Sequence, residues 1–164
     1  MKRSFILCAS LSWLAAGAVA YAQLPAGAIV TFKTKNSEQC IGVDGAQVQN
    51  DKPIGRFNCD DDKAPNQRWR VEKRGDGYRF RNVKSKKCIG VNGASTEPGA
   101  EIRQYFCDGS ANQTWKPVGG PNLIREFRNA KSDLCLAVPN SQVMLKQLEC
   151  NKPGIVQEWR IVVR

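Results

Sequence analysis

Short runs of alternating apolar and polar residues recur along this chain of 164 residues. Two clear examples are QRWRVEK, residues 67–73, and YRFRNV, residues 78–83. A period of two is typical of a β-strand that buries one face and exposes the other to solvent. Because no segment shows helical periodicity over ten residues, the pattern predicts an all-β domain. The expected buried positions are Trp69, Val71, Tyr78 and Phe80, and the expected solvent-facing positions are Arg68, Arg70, Arg79 and Arg81.

The strand pattern occurs three times. Each copy begins with one block, which reads FKTKNSEQCIGV from Phe32, FRNVKSKKCIGV from Phe80 and FRNAKSDLCLAV from Phe127. Each copy ends with a second cysteine followed by Gln-x-Trp, and successive Gln-x-Trp motifs lie 46 and 44 residues apart. Units of about 45 residues that cannot bury an apolar face alone predict closure around a pseudo-threefold axis. We therefore predict three four-stranded repeats, called here lobes one, two and three, over residues 27–73, 74–119 and 120–164.

The first 22 residues have the pattern of a secretory leader. Lys2 and Arg3 precede an apolar run, residues 5–19, and small residues follow up to Ala22. An apolar run of about 15 residues is short for a bilayer span, and an A-x-A sequence is typical of a cleavage site. We predict cleavage after Ala22, which gives a secreted or periplasmic mature chain, residues 23–164, with a single domain and no transmembrane segment.

The mature chain keeps six cysteines and has no histidine. An even number of cysteines in an oxidising compartment predicts disulfides, although six cysteines allow 15 pairings. The absence of histidine excludes Ser-His-Asp and Cys-His catalysis and every His-ligated metal site, and the C-x-x-C spacing of a Cys-only zinc site is also absent. We expect a protein without a metal or cofactor and without enzymatic activity. Removal of the leader lowers the formal net charge from +10 to +8, so the chain stays basic.

Three Gln-x-Trp motifs, each six to eight residues after the second of two cysteines, resemble the ricin-type (ricin B-like) lectin family, whose fold is a β-trefoil. The resemblance covers essentially the whole mature chain. It implies one disulfide within each lobe, pairing Cys40 with Cys59, Cys88 with Cys107 and Cys135 with Cys150. All three lobes carry the tryptophan, which indicates a core residue rather than a ligand contact. The predicted core tryptophans are Trp69, Trp115 and Trp159.

The resemblance also implies where a sugar would bind. In this family the site consists of an Asp two residues after the first cysteine, an aromatic residue two before the second cysteine, and the Asn-Gln of the Asn-Gln-x-Trp sequence. Lobe three has Leu148 and Val156 at the aromatic and Asn positions, so we predict that its site is lost. We expect glycan binding first at lobe two and second at lobe one. The matching residues are Tyr105, Asn112 and Gln113 in lobe two, and Phe57, Asn66 and Gln67 in lobe one.

The chain departs from the family at the Asp position, which holds Gly42, Gly90 and Ala137. Galactose specificity therefore cannot be carried over, and the identity of the sugar stays open. Asp44 and Asn92 lie two residues further on, about 6.6 Å along a strand, and a turn at the glycine that follows each could return the side chain to the pocket. The alternative, which stays open, is that both serve only as turn residues.

Basic residues are concentrated between positions 68 and 87. This face either keeps the protein soluble or binds sulfated or phosphorylated glycans or lipid headgroups, because arginine can bind such groups in a bidentate manner. Nucleic acid is physically possible but is a less common partner of secreted proteins. The candidate anion-binding residues are Arg68, Arg70, Arg79 and Arg81.

Two further functions remain open besides glycan binding. The chain also resembles the A and C subunits of cytolethal distending toxins, which implies an interaction or delivery subunit that docks to a partner protein. The loss of the family Asp in all three lobes favours this alternative. A protease inhibitor of another trefoil family ranks low, because those inhibitors lack this cysteine and Gln-x-Trp pattern.

Overall fold

A computed structural model describes residues 23–60, 63–119 and 123–164. The leader predicted for residues 1–22 lies outside the described residues. Within the described part, no helix has both the length and the apolar character needed to cross a membrane. All regular structure there consists of β-strands and single 3-10 turns, which confirms the all-β prediction.

The strands follow the order of the three repeats. Among the described residues, lobes one and two contain four strands each. The prediction of three four-stranded repeats is not met in lobe three, where a fifth, two-residue strand replaces the 3-10 turn found before the last strand of the other lobes. Along the described chain the strands are β1 Ile29–Thr34, β2 Gln39–Val43, β3 Lys52–Asn58, β4 Trp69–Arg74, β5 Gly77–Asn82, β6 Cys88–Val91, β7 Ile102–Tyr105, β8 Trp115–Val118, β9 Ile124–Asn129, β10 Cys135–Pro139, β11 Lys146–Leu148, β12 Ile155–Val156 and β13 Trp159–Val163.

Six of the strands pair in a closed ring. β1 pairs with β4 and β13, β5 pairs with β4 and β8, and β9 pairs with β8 and β13, all antiparallel. These are the first and last strands of the lobes, so each lobe contributes equivalently to the ring. A closed ring leaves no free sheet edge among these strands. The remaining hairpins, β2–β3, β6–β7 and β10–β11, extend from the ring.

Aromatic residues at equivalent positions fill the centre. The rings of Phe32, Phe80 and Phe127 contact one another edge to face, with centroids 4.8–5.3 Å apart. The three motif tryptophans have no exposed surface, which confirms their prediction as core residues. Each indole N–H donates to a backbone carbonyl of its own lobe at 3.1–3.2 Å, so the polar atom of each buried ring is satisfied.

Three disulfides each join the second strand of a lobe to the segment that follows its third strand. They join Cys40 to Cys59, Cys88 to Cys107 and Cys135 to Cys150, the same pairing that the family resemblance implies. The bridged residues are 15 to 19 positions apart, and each such link stabilises the fold by about 3 kcal/mol through restriction of the unfolded chain. The predicted aromatic and turn residues of lobes one and two therefore lie within the bridged segments, whereas the Asn-Gln pairs follow the second cysteine.

Candidate functional site

A pocket of about 490 Å³ opens at lobe two. Tyr105, Asn112 and Gln113, three of the four residues predicted for this lobe, line it. Asn50 reaches the same pocket from lobe one, so the pocket lies between two lobes. The full lining consists of Asn50, Val91, Gly93, Ala94, Tyr105, Phe106, Asp108, Ser110, Asn112 and Gln113.

Tyr105 presents its ring to this pocket from the end of β7. Its hydroxyl lies 2.8 Å from Asp51 Oδ1 and 2.9 Å from Asn92 Oδ1. A phenol has one proton, so the hydroxyl donates to one of these two oxygens at a time. Partial burial, and then the bond to Asp51, raise the pKa of Tyr105 above its ordinary value. The ring is thus neutral and fixed.

Asn92, the fourth residue predicted for lobe two, begins a 3-10 turn, Asn92–Ala94, directly after β6. The turn places its side chain at the Tyr105 hydroxyl, and Asn92 itself does not line the pocket. In this lobe the residue therefore combines a turn role with support of the aromatic ring.

A second polar cluster is formed by Asp108, Ser110 and Asn112. The Asp108 carboxylate accepts from the backbone N–H of Ser110 at 2.8 Å and from its hydroxyl at 2.6 Å, and these two bonds lower the pKa of Asp108. The hydroxyl of Ser110 also contacts the Asn112 side chain. The pocket therefore contains an ionised carboxylate, held in place and exposed to solvent.

Both motif glutamines predicted as site residues lie inside their loops. Gln113 donates to the carbonyl of Phe106 at 2.9 Å and accepts from the N–H of Asp108 at 3.3 Å. Gln67 makes the equivalent pair of bonds across Cys59, at 2.9 and 3.0 Å. Because both atoms of each amide are used and the side chains are buried, the glutamines hold their loops in shape.

Lobe one arranges its predicted residues differently. Asn66 lies beside Gly42, because a Cβ atom added to that glycine would be 3.4 Å from the Asn66 amide nitrogen. The Phe57 ring instead lies on Gly55, where an added Cβ would be 2.9 Å from Phe57 Cζ and 3.1 Å from Met144 Sδ. The aromatic ring and the asparagine therefore pack against different glycines.

Asp44 begins the turn Asp44–Ala46, the counterpart of the turn at Asn92. Its side chain is half-buried. The structure thus gives Asp44 a turn position and shows no bond from it to Phe57 or Asn66.

In lobe three, a strand occupies the position that corresponds to the Asn-bearing turns of lobes one and two. Val156 of β12 pairs with Val138 of β10, so a strand lies where the other lobes present Asn from a 3-10 turn. Ala137 at the family Asp position is fully buried, and Leu148 at the aromatic position is aliphatic. These substitutions leave this position without an aromatic platform or an amide.

The arginine face differs from its prediction. Arg79 was expected to face solvent, but it is buried, and its guanidinium donates to Glu72 at 2.8 Å. The expectation is wrong because the loop around Gly109 covers this side of β5: a Cβ atom added there would lie 3.9 Å from Arg79 Nη1. Arg81 pairs with the same carboxylate at 2.6 Å. Burial raises the pKa of Glu72, but the two arginines outweigh this effect and lower it.

Arg68 and Arg70, the other two candidates for anion binding, lie on β4 or directly before it. Arg70 is exposed and donates to the carbonyl of Gly27 at 2.8 Å, whereas Arg68 is half-buried. The four arginines therefore do not act as one open cluster, since two are paired with Glu72 and one is bonded to backbone.

A larger cleft of about 740 Å³ lies between lobes one and three. Its charged residues are largely paired internally: Lys35 contacts Glu158 at 2.6 Å, and Arg56 donates to the carbonyls of Asn140 and Gln142. No aromatic side chain of the described residues lines it. Although it is larger, this cleft lacks the stacking surface of the lobe-two pocket, and we regard the smaller pocket as the candidate site.

Sequence reasoning missed several residues of the lobe-two pocket. Asp108 and Ser110 had a usable signal, because an aspartate directly follows the second cysteine in lobes one and two. Asn50 and Asp51 had none, because they approach Tyr105 only through the pairing of β3 with β7, two strands of different lobes.

Comparison with known families gives the class of this fold. The model of the ricin-type beta-trefoil lectin domain-like family matches residues 21–105 and, in a second overlapping match, residues 65–149. The chain belongs to this family. No curated protein gives a significant sequence match to the chain.

Solved structures of similar fold include designed and natural proteins. ThreeFoil, a designed threefold-symmetric protein, is 23% identical with a TM-score of 0.73, over 82% of this chain and 97% of that one. The cytolethal distending toxin of Haemophilus ducreyi is 15% identical with a TM-score of 0.65, over 87% and 88%. The Polyporus squamosus lectin is 15% identical with a TM-score of 0.72, over 85% of this chain and half of that chain. At these identities the likeness establishes the fold alone.

Proposed function

We propose that the protein binds carbohydrate through the lobe-two pocket and does so without catalysis. The observation that carries the proposal is a fixed, neutral tyrosine ring beside an ionised carboxylate and an amide in one solvent-open pocket. A sugar ring offers an apolar C–H face and hydroxyl groups on its edge. Tyr105 would stack on the C–H face, while Asp108 would accept from hydroxyls and Asn112 would both donate and accept.

The electrostatics favour binding over hydrolysis. Most glycoside hydrolases need a carboxylic acid whose pKa is raised so that it can protonate the leaving oxygen. The bonds from Ser110 lower the pKa of Asp108 instead, so it stays ionised and acts only as an acceptor. A fixed acceptor that binds substrate and transition state alike adds affinity without accelerating a reaction.

The family Asp position of lobe two differs from the family pattern, so the family's sugar specificity is not expected here. At Gly90 a Cβ atom would lie 3.1 Å from both Tyr105 Cδ2 and Gln113 Cγ, so the place of the family Asp is already filled. The acceptor carboxylate of this pocket would instead come from Asp108, which directly follows Cys107 of the disulfide. A related fold, that of the Polyporus squamosus lectin, was solved with Neu5Acα2-6Galβ1-4GlcNAc bound, which supports glycans as the ligand class.

A secreted or periplasmic location suits this role. Three disulfides persist in an oxidising compartment, and the predicted leader would deliver the chain there. Glycans of glycoproteins, glycolipids or polysaccharides are the partners that such a protein would meet.

The proposal is tested by a glycan array probed with the mature, disulfide-intact protein at low and high salt. We expect salt-resistant binding to a defined group of glycans, abolished by Tyr105→Ala and retained by Phe57→Ala, the matched change in lobe one. The proposal fails if no glycan binds, or if Tyr105→Ala folds normally and binds as strongly as the unchanged protein.

A second candidate is a non-catalytic interaction or delivery subunit. It is favoured by the similarity to the cytolethal distending toxin, of whose compared chain 88% is covered. It predicts that native secretions contain the chain in a stable complex, which native mass spectrometry would detect. A free monomer in those secretions would count against it.

A further inference from the structure

Phe106 is an exposed aromatic residue at the rim of the lobe-two pocket. Its side chain is 70% exposed, although its backbone is fixed on both sides. Its N–H donates to Asn50 Oδ1 at 2.8 Å and its carbonyl accepts from Gln113 at 2.9 Å. The next residue, Cys107, is in a disulfide. A large apolar ring on a rigid backbone, left in water beside a pocket, is a ready stacking surface for a ligand.

Lys87 adds a positive charge to this surface. Its ammonium lies 4.7 Å from the centroid of the Phe106 ring, a cation–π contact. Among the described residues, no carboxylate lies within ion-pairing distance of it. Arg79 and Arg81, by contrast, share the Glu72 carboxylate. The charge of Lys87 is therefore available to an anion that stacks on Phe106.

We propose that Phe106 and Lys87 form a second subsite, which binds an anionic sugar unit of a glycan whose neutral unit occupies the pocket. This inference rests on the proposed function of that pocket. The C–H face of the anionic unit stacks on the exposed ring, and its carboxylate or sulfate binds the ammonium, which sits on a flexible four-carbon stem.

The positions of the charges determine which sugar unit binds in the pocket and which binds at its rim. The ionised Asp108 carboxylate lines the pocket and repels an anionic unit placed inside it. Lys87 lies outside, at the Phe106 ring, so the neutral unit binds within and the anionic unit binds at the rim. Selection for acidic glycans thus belongs to the lobe-two rim rather than to the arginine face.

The test uses an array that carries the same neutral cores unmodified, extended with a sialic or uronic acid, and sulfated. The unchanged protein should bind anionic forms better than their neutral cores, with a preference that falls as salt increases. Lys87→Gln should reduce that preference about two- to fivefold, the range of one solvent-exposed ion pair. Lys84→Gln removes the same charge at a nearby exposed position and should leave the preference unchanged. Comparison of the carboxylated with the sulfated glycans identifies which acidic group the subsite prefers.

The outcomes separate this inference from the proposed function. Loss of all binding in Tyr105→Ala, together with an unchanged anionic preference in Lys87→Gln, overturns the second subsite alone. Glycan binding that Tyr105→Ala leaves intact overturns both. Phe106→Ala provides an independent check: it should weaken binding of anionic oligosaccharides about tenfold through lost stacking, and unchanged binding of them contradicts the subsite.

Discussion

Lobes one and two carry nearly the same motif, yet their aromatic rings pack on different glycines. The difference arises from the residue paired with the glycine at the family Asp position. Gly42 pairs with Gly55 in lobe one, whereas Gly90 pairs with Arg103 in lobe two. Gly55 leaves space that the aromatic ring of lobe one fills. Arg103 has a side chain in that place, and the aromatic ring of lobe two packs on Gly90 instead.

Arg103 is itself held by neighbours from both lobes. Its guanidinium contacts Glu101 at 2.7 Å and Asp51 of lobe one at 3.4 Å. These contacts raise the pKa of Arg103, first through the bond to Glu101. Asp51 also accepts the hydroxyl proton of Tyr105. A binding site in this fold therefore depends on the neighbouring lobe as well as on its own motif.

Restoration of the family Asp at Gly90 should have the largest effect on stability. The new side chain would displace the Tyr105 ring and the stem of Gln113, each 3.1 Å from the added Cβ. We expect Gly90→Asp to lower the free energy of unfolding by about 2 kcal/mol through overpacking, as measured by urea denaturation.

Gly42→Asp is the matched change in lobe one. It should cost a similar amount, since its Cβ would lie 2.8 Å from Gln67 Cγ, but it should leave the NMR signals of the Phe57 ring in place. Gly90→Asp should move those of the Tyr105 ring. Equal stability of Gly90→Asp and the unchanged protein, with an unmoved tyrosine, would contradict the comparison.

Removal of one hydroxyl should have an intermediate effect. Tyr105→Phe deletes the bonds to Asp51 and Asn92 and should lower the free energy of unfolding by about 1 kcal/mol. The reciprocal change, Phe57→Tyr, adds a hydroxyl to a ring that packs on Gly55 and Met144, and should give no comparable gain. Thermal or urea unfolding of both variants measures the difference in stability. A gain in stability from Phe57→Tyr that exceeds the loss from Tyr105→Phe would contradict this prediction.

The pH dependence of Asp108 should be the smallest effect. Its pKa is lower in the folded protein than in the unfolded chain, so its stabilising contribution is present above about pH 4 and is lost as pH falls through the folded pKa. A carboxyl carbon NMR titration should show this low pKa, and Ser110→Ala should return it toward the ordinary value. Since the backbone N–H of residue 110 remains in Ser110→Ala, an unchanged titration would show that the bond from the Ser110 hydroxyl is not the cause.

Much of the fold follows from sequence periodicity, because the buried residues recur at fixed intervals. The core tryptophans and the all-β class are examples, since both depend on local alternation and on repeats. The exposure of Arg79 could not be predicted this way. Alternation identifies the polar face of a strand, but it cannot tell that another loop and Glu72 will cover that face.

The site was predictable only as far as the motif extends. Tyr105 and Asn112 follow from their spacing to the cysteines and line the pocket. The orientation of the Phe57 ring depends on its register partner, and the approach of Asn50 depends on a strand pairing between lobes. Neither is encoded in the spacing of one repeat.

The central claim is that glycan binds at the pocket of lobe two rather than at its counterpart in lobe one. Its most direct test is an NMR titration of the 15N-labelled mature protein with the glycan that binds most strongly on the array. We predict shifts of the Phe106 and Asp108 amides and of the Asn112 side chain, with the Asn66 side chain unaffected. Shifts confined to lobe one or to the cleft between lobes one and three would contradict the account.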